Sequence, residues 1–186
     1  MLKRFKTKEL IFIALVAAFM FLVDLLIVAP INTITGVHGM GFLIDVLLIN
    51  ALVTIAALIL KRFFSVTIIY TLFGLLVIPT AIMGPPTPYK VILGLIIGLV
   101  ADLIVCIFRY KRIGFLLGVA IANAISYPVG YFLALLLGIP GTEELGRVVW
   151  FLTIAVLLLG ILGDWIGIKL YEKKLGKTKI VRQISN

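Results

Sequence analysis

From residue 9 to residue 170 the chain alternates long apolar runs with short connectors, and this alternation limits the fold more than any single motif. A helix needs about 20 consecutive apolar residues to cross a bilayer. Six stretches approach that length: 9–29, 40–60, 64–80, 90–108, 113–138 and 147–170. The third is short, with Pro79 expected to end it. The fifth contains Pro128, so a kink or break is expected near Tyr127. With 63% hydrophobic and 13% charged residues among 186, a water-facing surface cannot be assembled around a soluble core. The reading is an all-α integral membrane protein, a single domain over 1–186 folded as a compact bundle of six transmembrane helices.

The net charge of +9 reflects topology rather than a nucleic-acid partner, because the basic residues cluster between apolar runs. "KRFFS" (61–65), "RYKR" (109–112), the N-terminal "KRFKTK" and the tail "EKKLGKTKIVRQ" fall on one side. With Lys169 they hold fifteen Lys and Arg, against Lys90 and Arg147 on the other side. The positive-inside rule then places both termini in the cytoplasm of a multi-pass plasma-membrane protein. The basic lead of the first run resembles a signal peptide, but the run is too long for an h-region and is read as a retained span. The connectors "INTITGVHG", "AIMGPPTP" and "GIPGTEELG" face outside.

Residue types argue against catalysis. One His and one Cys cannot make a zinc site. No Gly-x-Ser-x-Gly supplies an activated serine, and no Gly-x-x-x-x-Gly-Lys-Ser/Thr cradles a nucleotide. No enzyme activity, metal or cofactor is expected.

Polar residues inside apolar runs are expensive and therefore informative. Asp24, Asp45, Asn50, Asn123, Ser126 and Tyr127 share one depth range with His38, Lys90 and Arg147, and together they could line a cavity open to the outside. Lys90 and Arg147 each follow a connector rich in Pro or Gly, which suits an anionic or carbonyl-rich ligand. Tyr89, Tyr127 and Trp150 supply flat surfaces for a ring, or else belong to an interfacial aromatic belt. Substrate contacts are thus expected from His38, Asp45, Tyr89, Lys90, Asn123, Tyr127, Arg147 and Trp150. Asp102 and Asp164 fall near the inner end, as paired or snorkelling acids or as partner contacts. Small residues recur at four-residue spacing at Ala14 and Ala18, Gly94 and Gly98, Gly114 and Gly118, and Gly163 and Gly167, for close packing inside the bundle or against a partner.

Three segments carry a family resemblance. "KTKELIFIALVAAF", "ILGLIIGLVADLIVCIFRYKR" and "LGDWIGIKLYEKKLGK" resemble the first, fourth and last spans of S components, the substrate-binding membrane subunits of energy-coupling factor (ECF) transporters. Within that group the chain is most similar to the branch of unassigned substrate. The resemblance implies capture of a vitamin-like or other small organic solute from outside, under loops 30–39, 81–89 and 139–146. It implies a coupling transmembrane subunit, met through Ala14 and Ala18, and two cytoplasmic ATPase subunits. Loops 1 and 5 carry no Trp or Tyr, unlike the members that stack thiamine or riboflavin. Two other readings remain: a self-sufficient proton-coupled carrier working through Asp102 and Asp45, and a membrane scaffold without a ligand.

Overall fold

The computed structural model describes residues 5–35, 40–80, 82, 86–138, 142–178 and 181. Within them lie six helices and no strand: α1 (Thr7–Thr35), α2 (Met40–Leu60), α3 (Ser65–Leu76), α4 (Tyr89–Ile107), α5 (Arg112–Leu136) and α6 (Thr142–Lys173), with a 3-10 turn at Leu175–Lys177.

Interactions between helix ends reveal how the helices alternate. Arg62, just past α2, pairs with Glu9 at the start of α1 at 3.0 Å. Arg112, opening α5, lies 3.8 Å from Glu172 near the end of α6. Lys90, opening α4, reaches back to carbonyls just past α3. Successive helices therefore run antiparallel, and the basic connectors gather at one end. Around the bundle the packing order is α1, α2, α6, α5, α4, α3 and back to α1.

Each helix turns a stripe of residues inward. On α1 the buried positions are Glu9, Ile13, Val16, Ala17, Met20, Asp24 and Val28, the three-and-four spacing of one helical face. The opposite faces are just as oily: Leu26 is 69%, Phe151 72% and Leu158 63% exposed. Such a surface belongs against hydrocarbon rather than water. By length and composition, Thr7–Val28, Tyr89–Ile107, Arg112–Leu136 and Gly146–Lys177 can cross a membrane, and Asp45–Leu60 and Ser65–Leu76 are shorter apolar helices. The 12 residues of α3 rise only about 18 Å, well short of the ~30 Å hydrocarbon core.

Helix ends differ from the sequence expectation in four places. α1 runs on to Thr35 through Pro30, losing one ladder hydrogen bond where the ring replaces an N–H. α3 stops at Leu76 rather than near residue 80, because the residue before Pro79 is pushed away from helical geometry. α5 does not break at Pro128 and continues to Leu136. Nearby, Ser126 Oγ donates to the Asn123 carbonyl at 2.6 Å. α6 starts at Thr142, since "TEEL" is made mostly of good helix formers and needs no loop.

The glycine pairs explain how closely the helices approach. A Cβ on Gly94 or Gly98 would run into the backbone of α3 at Tyr70 or Thr67. On Gly163 or Gly167 it would meet the Leu47 or Ala51 carbonyl of α2. Gly114 and Gly118 face α4 residues, including Val105. These three pairs are internal packing, whereas Ala14 and Ala18 are exposed on the outward face of α1. Replacing Gly98 by Ala is expected to cost about 1–3 kcal/mol through overpacking. Gly130→Ala is expected to be close to neutral, because its Cβ would meet only Leu93 Cδ2 at 3.8 Å. Thermal denaturation of both variants in one detergent checks the contrast.

Candidate functional site

A cavity of about 30 Å³ lies among α1 to α5, lined by Asp24, Asp45, Val46, Ile49, Tyr70, Phe73, Ile97, Asn123 and Ser126. It sits away from the basic end, in the half of the bundle where α2 and α4 begin. Asp24 comes from the inward stripe of α1, and Asp45 from the start of α2. Both side chains are 1% exposed. They lie within hydrogen-bonding reach of each other across the α1–α2 contact.

Asn123 organises the wall opposite. Its Oδ1 accepts a hydrogen bond from the Tyr70 hydroxyl at 2.9 Å, and its Nδ2 donates to Asn50 Oδ1 at 2.6 Å. One amide thereby ties α5 to α3 and to α2. Asn50 Nδ2 points toward α6, where a Cβ on Gly160 would meet it at 2.8 Å. A second buried group stands deeper: Asp164 of α6 accepts from Thr54 Oγ1 at 2.6 Å and from the Ala120 N–H at 3.0 Å, joining α6 to α2 and α5.

Asp102 acts at the other end of the bundle. The residue before α3, Phe64, has φ +71° and offers no side-chain cap. The α4 carboxyl replaces that cap from outside the helix, accepting from Thr67 N at 2.8 Å, Thr67 Oγ1 at 2.7 Å and Val66 N at 3.4 Å. A carboxylate there meets the free N–H groups and positive end of α3.

The structure sorts the expected site residues. Asp45 and Asn123 line the cavity. Tyr127 packs with Val46 and Val156 beside it, close to Asp45. The expectation that Lys90 offers a cation to a ligand is corrected: its side chain is fully buried, and Nζ donates to the Val77 carbonyl at 3.0 Å and the Thr80 carbonyl at 2.7 Å. Trp150 is 65% exposed on the outward face of α6 beside Phe151 and Ile154, the place of an aromatic belt rather than of the cavity lining. Arg147 is exposed and Tyr89 is buried in the main core, and neither lines the cavity. His38 lies outside the described residues. Asp24, Ser126 and Asn50 were legible as polar breaks in apolar runs. Tyr70, Phe73 and Ile97 were not, because apolar and aromatic lining looks like ordinary core.

No family model matches the chain, and no curated protein matches its sequence. Among solved structures, the crystal structure of an S-component of an ECF transporter superposes with a TM-score of 0.65 at 16% identity, covering 97% of this chain and 93% of that one. At that identity the likeness shows the fold: this chain has the S-component fold.

The buried lysine makes a prediction opposite to that for a ligand-binding cation. Lys90→Met should destabilise the protein by about 1.5–3 kcal/mol, the range for hydrogen bonds from a charged donor, and lower its melting temperature in detergent. Unchanged stability would show that the two carbonyls do not need the ammonium.

Proposed function

We propose that the chain is the substrate-capturing subunit of an ECF-type uptake system for a small organic micronutrient, dependent on partner ATPases for transport. The observation that carries this reading is a mostly apolar cavity, with Asp24, Asp45, Asn123 and Ser126 among its lining, enclosed by five helices of an S-component fold. Capture needs such a site, closed on its sides by apolar residues and oriented by a few polar atoms. With the basic end in the cytoplasm, the cavity end faces outside, where a scarce nutrient is met first.

Two further features support the partners. The described residues form a single ring of six helices, which is little bulk for the two rocking halves of a self-sufficient carrier. On α1, Ala14 and Ala18 are exposed between Ile11, Leu15 and Leu22, which are 56%, 63% and 49% exposed. Small residues on an oily outward face let a second membrane helix approach closely, and a coupling transmembrane subunit is the partner assigned to that face. The carrier alternative loses one of its two acids. The oxygens of Asp102 are engaged by the N-terminus of α3, and Asp102 does not line the cavity.

Reconstitution tests the assignment. The chain alone in liposomes should not accumulate solute, and uptake should appear only with the coupling subunit, both ATPases and ATP. ATP-independent accumulation by the chain alone would overturn the proposal. Ala14→Trp and Ala18→Trp should reduce co-purification of the coupling module more than tenfold and leave the melting temperature of the isolated chain unchanged. A large drop in that temperature would mean that the face packs within the chain.

A further inference from the structure

Acids carried into the bundle fall into two groups. Glu9, Asp102 and Asp164 have partners: Arg62 and the Lys6 N–H for the first, the α3 N-terminus for the second, Thr54 and Ala120 for the third. Asp24 and Asp45 have each other, carboxyl beside carboxyl within hydrogen-bonding reach. Each is almost wholly buried, each lines the cavity, and Oδ1 of each has no hydrogen-bond partner. Buried polar atoms are rarely left unpaired in folded proteins, so two orphan oxygens at one cavity call for a missing donor.

The rest of the cavity specifies what that donor carries. The Asn123 amide is already engaged through both its atoms. The Ser126 hydroxyl spends its proton on the Asn123 carbonyl, which leaves its lone pairs as acceptors. Asp24, Asp45 and Ser126 therefore present acceptors. Among the described residues no basic side chain pairs with either acid: Lys90 is held by two carbonyls and Arg147 does not line the cavity. Nor do the described residues include three or more His, Cys, Asp or Glu grouped to hold a metal ion, so a hard cation would lack its usual set of oxygen ligands. The volume admits about two water-sized groups.

Building on the capture role, we propose that the cavity recognises a protonated amino group on the substrate, held between the carboxyl groups of Asp24 and Asp45. An ammonium has three protons to give, and Asp24 Oδ1, Asp45 Oδ1 and Ser126 Oγ are three acceptors. Its charge offsets the repulsion between two carboxyls set side by side. The attached carbon meets Val46, Ile49, Phe73 and Ile97. This replaces the anionic or carbonyl-rich ligand inferred from Lys90 and Arg147 with a ligand of opposite charge.

Methylammonium, with two heavy atoms, is the probe whose size fits. The purified full chain in lipid nanodiscs should bind radiolabelled methylammonium saturably in the millimolar range expected of so small a ligand. Ethylammonium should compete, and acetate and methanol should not. Asp24→Asn and Asp45→Asn, which keep the side-chain shape, should each weaken binding about tenfold. Competition on the unmodified chain decides the matter if a variant fails to fold. Absent methylammonium binding, equal binding in folded variants, or saturable Mn²⁺ binding in its place would overturn the amine assignment. Native mass spectrometry separates this from the wider reading. A retained neutral or anionic small molecule sinks the amine assignment and leaves capture standing. Retention of nothing, with none of the probes binding, sinks both.

Discussion

In hydrocarbon a polar group has no water to turn to, so every one must find its partner inside the protein. That demand organises this bundle. Lipid is as apolar as the helix faces it surrounds, so the hydrophobic effect gives the helices little reason to associate. Close approach at glycine and hydrogen bonds between helices take its place. Asp102 joins α4 to α3, Asp164 joins α6 to α2 and α5, and Asn123 joins α5 to α3 and α2. Each polar residue inside an apolar run thus works as a cross-link, and breaking one leaves a buried group exposed to oil.

Seen this way, the exceptions stand out. Two carboxyl oxygens in one cavity are left without donors in a protein that pairs its other buried acids with care. In the proposed capture role, the two unpaired oxygens would supply affinity for a substrate that carries hydrogen-bond donors. The same arrangement in a structural position would only be a defect.

Much of this was legible in the sequence. Apolar run lengths located six helices, and a polar residue in oil marked its own importance, which is how Asp45, Asn123 and Asn50 were picked out. Three things were not legible. Which face a residue turns depends on its neighbours in three dimensions, so Trp150 read as a ring platform and turns outward. Cavity lining by Tyr70, Phe73 and Ile97 is chemically the same as core. A lone charge at a helix start reads as exposed, because nothing in the local sequence shows the carbonyls it will meet. The spaced glycines were visible as close-packing sites, but only the fold separates the inward pairs from the outward Ala14 and Ala18.

Lys90 shows the last point most clearly. It closes the segment "AIMGPPTPYK", which follows the end of α3 at Leu76 and Pro79. A helix of 12 residues that stops inside the bundle leaves unpaired carbonyls at its end. The flexible lysine stem reaches back from α4 and gives its protons to Val77 and Thr80, and a cation also suits the negative end of a helix. Pro79, the short helix and the buried lysine are therefore one device. It ends α3 early without stranding its carbonyls, and it takes out of circulation the cation that seemed best placed to meet an anionic ligand. The two acids of the cavity are then left without a neighbouring positive charge.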